Sequence, residues 1–262
     1  MTGAPTLSPD AAARHVAAWD AQQTGYIRHR DDRFRTIALV VAGFCRSLDT
    51  PRILDLAGGP GSLGAAVLAA VPHGELVILD KDPALLALAA QMHRDDPRVT
   101  VLEADLDTTA WVGEELIRRR PFDAVVSSTA LHWLQPDALI RTYFAAAEIM
   151  AEHSVILNGD HFAYSEASEP TLRRIAADDD ARMQQEAAEA GAPDWDRWWS
   201  RLGADPEFAD AVARREQVWR DKLTPAPKVT CKFHLEALRS CGFIESGTVW
   251  QYLDDYVVYG LR

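Results

Sequence analysis

The sequence predicts an α/β fold, a doubly wound and mostly parallel sheet with an antiparallel C-terminal hairpin and a helical cap. Three observations carry this. Five short runs rich in Val, Ile and Leu, at 53–57, 76–80, 99–104, 122–128 and 154–159, each lead into a helix or loop, the pattern of strands covered on both faces. The first run continues into Gly58-Gly59-Pro60-Gly61-Ser62-Leu63-Gly64, a turn that opens a helix. The tail GFIESGTVWQYLDDYVVYGLR reads as two closing strands around Asp254-Asp255.

Taken in order, two helices at about 8–24 and 31–47 precede the first strand. Asp82-Pro83 opens the helix after the second strand. Arg118-Arg119-Arg120 ends a helix before Pro121, where cations complement the carbonyl end. From about Ser165 to Lys222 the chain turns helical, polar and alanine-rich, with Trp195, Trp198, Trp199 and Trp219. Asp194 is a candidate N-cap there, and Pro206 after Asp205 falls where a helix would begin. This segment ends in the breaker-rich TPAPK at 224–228, after which HLEALRS makes one more helix. The expected organisation is one domain over 1–262, with a core at about 35–165 and 228–262 and a cap from 1–34 and 166–227.

Composition narrows the function. A chain of 262 residues that is 48% hydrophobic can bury one sizeable core. Its net charge of -12, with no basic stripe, argues against a nucleic-acid partner. Cys45, Cys231 and Cys241 are widely spaced with no CxxC, and no histidine pair has ligand spacing, so neither a disulfide nor a metal site is expected. No run approaches the roughly 20 apolar residues of a membrane span, and no basic-then-apolar leader is visible. A cytoplasmic location is the expectation.

In an open α/β sheet the ligand lies beyond the carboxyl ends of the strands. Gly59-Pro60-Gly61-Ser62-Leu63-Gly64 formally matches the GxGxxG dinucleotide fingerprint, so the glycines alone leave the ligand open. The second strand ends in Asp80, placed to accept ribose hydroxyls, and the third in Glu103-Ala104-Asp105-Leu106, whose Asp105 is placed for an adenine amino group. The fourth ends in Ser127-Ser128-Thr129-Ala130-Leu131-His132-Trp133. Each acid has a second reading: Asp55 as a cap of the next helix, Asp80 as a cap of the helix at Asp82-Pro83, and Asp105 as a solvated loop acid.

On these residues the chain resembles the class I S-adenosylmethionine-dependent methyltransferases of small-molecule type. The motif Asp-x-Gly-x-Gly-x-Gly maps onto Asp55, Ala57, Gly59 and Gly61. The segment SSTALHWL is similar to the fourth-strand end of enzymes such as those acting on trans-aconitate. The resemblance covers about 35–165 and 228–262. It implies a Rossmann-like seven-stranded sheet and S-adenosyl-L-methionine bound by Asp55, Ala57, Gly58, Gly59, Gly61, Asp80, Lys81, Ala104, Asp105, Leu106 and Ser128. Ala57 departs from the motif's first glycine, and Gly58 beside it keeps the backbone open. Tyr26, or one of Arg28, Arg30 and Arg33, is placed to hold the cofactor carboxylate or an acidic substrate, with Tyr26 and Arg33 preferred. The arginines' other reading is surface pairing with Asp31 and Asp32.

A nicotinamide dehydrogenase would need a substrate domain where this chain has its hairpin, and Asp55 in the strand before the glycines favours methyl transfer. The reaction is then an in-line displacement on a small-molecule acceptor, on oxygen. A base is needed only where the acceptor has a proton to lose. His132 and His161 are the catalytic candidates, with loop ordering or packing against Trp133 as the other reading of His132; His234 ranks below them. The insertion's tryptophans either roof the acceptor or pack the cap onto the sheet. An NAD(P)-dependent oxidoreductase and a non-catalytic S-adenosylmethionine-binding protein are the alternatives, and a homodimer is possible.

Overall fold

The computed structural model describes residues 8–220 and 225–262. Two helices, α1 (Pro9–Thr24) and α2 (Arg30–Cys45), lead into β1 (Arg52–Leu56), α3 (Ser62–Ala70), β2 (Glu75–Asp80), α4 (Pro83–Met92) and β3 (Val99–Glu103). Then come α5 (Glu115–Arg118), β4 (Phe122–Ser128), α6 (Pro136–Ile149) and β5 (Met150–His161). Helices α7 (Pro170–Glu189), α8 (Trp195–Ala204) and α9 (Ala209–Trp219) follow, and α10 (Cys231–Ser240), β6 (Glu245–Tyr252) and β7 (Asp255–Leu261) close the chain. The ends of the expected cap at 1–7 and 221–224, including Thr224 of TPAPK, lie outside the described residues.

The seven strands form one sheet in the order β3-β2-β1-β4-β5-β7-β6. The five strands β1–β5 pair parallel, and β7 runs antiparallel to both β5 and β6. The central strand β1 is buried at every position, as its uninterrupted apolar run requires. One core lies between the sheet and α6 with α10, built on Phe122, Tyr143, Ile149 and Leu238. The other lies under α2 and α3, with Ile37, Val41, Val67 and Leu68 against Ile53 and Val126. A third cluster joins α1, α4 and α8 through Trp19, Leu88, Trp198 and Leu202. Because β1 sits between β2 and β4, the chain reverses direction across the sheet there. The crevice beyond its carboxyl end is the ligand position of this topology.

Local signals explain most boundaries. Ser8 caps α1 ahead of Pro9, Asp82 caps α4 ahead of Pro83, and Asp194 caps α8. Pro206 differs from the expectation: it lies in the turn between α8 and α9, where Asp205 accepts N–H groups of Glu207 and Phe208 and so closes the chain on itself. The carbonyl end of α5 is served from the neighbouring strand, since Arg52 donates to the carbonyls of Leu116, Ile117 and Arg120, while Arg119 pairs with Glu75. Strand β5 runs on to His161, because pairing with β7 continues to Asp255.

Candidate active site

The turn after β1 is built from left-handed backbone: φ is +52° at Ala57, +55° at Gly59 and +88° at Gly61. Alanine tolerates this region only at a cost of about 1–2 kcal/mol. Gly58 has no room for a side chain, since a Cβ there would stand 2.7 Å from the Asp55 carboxyl. The turn is tied down from two sides. Asp55 Oδ2 accepts the Gly64 N–H at 2.9 Å, and Asp80 accepts the Gly59 N–H at 2.8 Å and the Asp82 N–H at 2.8 Å. Asp55 therefore satisfies an orphan amide of the first turn of α3 while also lining the cavity, so its two readings coexist. Asp80 does not cap α4; Asp82 does, through Ala84 and Leu85.

Burial pushes the Asp55 carboxyl up to about 7 against the pull of the Gly64 N–H, with the neighbouring Asp80 adding to the rise. Burial likewise pushes Asp80 up to about 6 against the N–H groups of Asp82 and Gly59. Asp55 Oδ1 is buried with no hydrogen-bond partner among the described residues.

This turn forms one wall of a cavity of about 700 Å³, a size typical of small-molecule sites. Ala57, Gly58, Gly59, Lys81, Ala104, Asp105, Leu106, Ser128 and Tyr26 all line it. Gly61 does not; in left-handed backbone, it is the residue from which α3 starts. Lys81 Nζ lies 4.1 Å from the Trp219 ring and 3.7 Å from Asp105, so Asp105 is no isolated loop acid.

Arg33 does not reach the cavity. It is fully buried, donating to Thr129 Oγ1 at 3.0 Å and to the Asp255 carboxylate. Arg28 is likewise enclosed by carboxylates, those of Asp179, Asp180, Asp254 and Asp255. Of the three arginines only Arg30 lines the cavity, bonded at 2.7 Å to Asp20, which also accepts the Ser62 hydroxyl at 2.8 Å beside the glycine turn. Surface pairing with Asp31 and Asp32 is not formed by any of the three; Asp32 binds Arg35. Their partners sit on helices and turns remote in sequence, which local spacing does not reveal.

The fourth and fifth strand ends bring the two histidines to the same cavity, with ring centroids 6.4 Å apart. His132 Nδ1 is 2.7 Å from Asp160 Oδ1, and the backbone N–H of His132 donates to Asp160 Oδ2 at 3.1 Å. His161 Nδ1 is 2.8 Å from Asp255 Oδ1. Both aspartates are fully buried. Burial opposes ionisation of Asp160, but His132, His161 and Arg33 outweigh it and hold its carboxyl below the usual carboxylate range. Asp160 and Asp255 are the site residues that the sequence reading missed. The rule that singled out Asp80 and Asp105, an acid at a strand's carboxyl end, also fits Asp160.

His234 lies elsewhere. It is buried against Phe162 and bonded to the Tyr143 hydroxyl, and burial pushes it down to about 4. The tryptophans divide between their two readings. Trp198 is packed against Trp19 at 4.7 Å, whereas Trp195, Trp199 and Trp219 line the cavity. Among the described residues no group of His, Cys, Asp or Glu is arranged to hold a metal ion, and no helix is long and apolar enough to cross a membrane.

The residues fit S-adenosylmethionine. A turn of small residues exposes backbone to the cavity at Gly58 and Gly59, an unpartnered buried carboxylate oxygen lies behind it, and Asp80 and Asp105 stand at successive strand ends.

Residues 53–152 match the methyltransferase domain family. The chain is 31% identical over 121 residues to a trans-aconitate 2-methyltransferase of Streptomyces avermitilis, covering 45% of this chain and 42% of that protein. It is 28% identical over 195 residues to the enzyme of the same name from Methylobacterium nodulans, covering 72% and 69%. The match thus spans less than half the length of the Streptomyces relative. Among solved structures, an O-methyltransferase family protein from Burkholderia thailandensis superposes with a TM-score of 0.55 at 14% identity, over 97% of this chain and 72% of that one. A structure described as a putative O-methyltransferase from Nostoc punctiforme gives 0.53 at 15%, over 86% and 55%. These two share the fold. Residues 53–152, which hold the glycine turn and the ordered acids, are thus similar to the methyltransferase domain family, and the chain shares the fold of the superposed O-methyltransferase structures.

Proposed function

We propose that this chain methylates an oxygen atom of a small-molecule acceptor, with His132 as general base. The observation that carries this is the His132–Asp160 pair, which lines the same cavity as the glycine turn. Asp160 accepts from Nδ1–H, which fixes the tautomer with its lone pair on Nε2. S-adenosylmethionine, when bound, supplies a methyl group activated on a sulfonium, the C–S electron pair remaining on sulfur. The acceptor hydroxyl would give its proton to His132 Nε2, leaving an oxygen electron pair available to accept that methyl group. The resulting imidazolium is held by Asp160. Arg30 replaces Arg33 as the arginine placed for the cofactor carboxylate, alongside Tyr26. Trp195, Trp199 and Trp219 exclude water from above.

The same reading treats 1–262 as one methyltransferase domain, with its core at about 35–165 and 228–262 and the remaining helices as a cap. It is a cytoplasmic enzyme that does not act on nucleic acid. Trans-aconitate, for which the relatives are named, is assayed beside hydroxyl-bearing compounds as the carboxylate acceptor that needs no base. The broader test is incubation with methyl-labelled donor and a small-molecule cell extract, with donor binding measured separately by calorimetry. Label entering a small molecule supports the reading. Absence of donor binding sinks it.

A further inference from the structure

Resting on the methyl-transfer reading, we propose that the acceptor is an uncharged, flat molecule bearing an ionisable hydroxyl, a phenol, and not a polycarboxylate. The part of the cavity around the two histidines is acidic. Asp180 lines the cavity, and Asp160 and Asp255 stand directly behind the rings. Arg28 and Arg33 are the buried cations of this cluster, and with the exposed Arg182, which pairs with Asp179, they face the five carboxylates of Asp160, Asp179, Asp180, Asp254 and Asp255. An acceptor carrying two or three negative charges meets that excess directly.

Three of the cavity's other cations are engaged by carboxylates. Arg30 serves Asp20, Arg215 serves Asp82 at 2.8 Å, and Lys81 lies between Asp105 and Asp107. Lys228 is exposed to solvent, where its charge is screened. A site for a polycarboxylate calls for arginines presented bidentately to it, and here the buried guanidiniums of Arg28 and Arg33 are spent on the protein's own aspartates.

The chemistry points the same way. A carboxylate is already ionised and needs no base for methylation, whereas a hydroxyl must lose a proton. Two histidines, each with Nδ1 on a buried aspartate and with no partner for Nε2 among the described residues, supply a base and a second hydrogen-bonding group within 6.4 Å. Trp133, Trp195 and Trp199 offer flat apolar walls that suit an aromatic ring.

The probes are 4-nitrophenol and trans-aconitate, titrated into the full chain loaded with S-adenosylhomocysteine. Binding of 4-nitrophenol with growth of its phenolate band at a pH where the free probe is mostly neutral is the expected result. The His132→Gln variant keeps the binding and loses the band, and a hundredfold excess of trans-aconitate does not displace the probe. Failure of 4-nitrophenol to bind, or its displacement by trans-aconitate, overturns the proposal. The labelled product from cell extract gives a second readout. A phenol ether survives mild alkali and passes a cation exchanger. Alkali-released methanol marks an ester, retention on the exchanger marks an amine, and either result overturns the assignment while leaving methyl transfer itself intact.

Discussion

His132 and Asp160 are joined twice, by the imidazole Nδ1 at 2.7 Å and by the backbone N–H at 3.1 Å, so the carboxylate fixes both the ring and the loop that carries it. Replacing Asp160 by Asn removes the negative charge and lets the amide donate to Nδ1, which selects the wrong tautomer. Asp160→Asn is expected to lower kcat by about 10²–10⁴-fold, the usual range for a positioned base, with donor affinity unchanged. A calorimetric titration beside the rate measurement separates the two. A variant that turns over at the wild-type rate removes the dyad from the mechanism.

Asp80 holds the glycine turn to β2 and lines the cavity, where the proposed function seats the ribose. Asp80→Asn keeps an acceptor oxygen for one N–H but loses the charge. Donor affinity is expected to fall by about 2 kcal/mol, the scale of a charged hydrogen bond. Affinity equal to wild type in calorimetry rules out the ribose position assigned here.

The raised Asp55 and Asp80 carboxyls have a consequence for stability. A carboxyl raised in the folded protein binds its proton more tightly there than in the unfolded chain. Its contribution is therefore complete below the ordinary value near 3.8 and disappears as pH rises through about 7 for Asp55 and about 6 for Asp80. The cofactor-free protein is expected to lose stability, on the order of a few kcal/mol, between about pH 4 and 7 from these two groups. Asp160 and Asp255 act in the opposite sense, their lowered values giving stability that is lost only in more acidic solution. Denaturant melts of wild type and Asp55→Asn across pH 5 to 8 check this: the variant has the shallower decline, and parallel curves refute the assignment.

Ala57 occupies left-handed backbone that glycine adopts without strain. Ala57→Gly is expected to stabilise the cofactor-free protein by about 0.5–1 kcal/mol, since relief of strain exceeds the added freedom of the unfolded chain. Urea denaturation measures it, and a loss of stability would show that the Ala57 methyl contributes packing that outweighs its strain.

The strand ends that line the cavity were legible because each depends on a few consecutive residues. Asp55 lies just before its glycines, Asp80 ends an apolar run, and Asp105 follows the next. Strand length, capping at Asp82-Pro83 and the hairpin at Asp254-Asp255 are equally local. Arg33 was misplaced for the opposite reason: its partners Thr129 and Asp255 are 96 and 222 positions away. The split among the tryptophans is of the same kind, since Trp198 is buried by Trp19 of a distant helix while Trp199, its neighbour in sequence, lines the cavity.

The sequence by itself determined the parallel sheet, the glycine turn with its acids and the placing of His132 and His161 on the ligand-bearing edge, because periodicity and turn chemistry act over a handful of residues. Only the tertiary structure decided which carboxylate stands behind each histidine and which arginines are consumed inside the protein. Those outcomes are set by charges that meet once the chain is packed, where burial makes an unpaired ion so costly that each must find a partner, however far along the chain it lies.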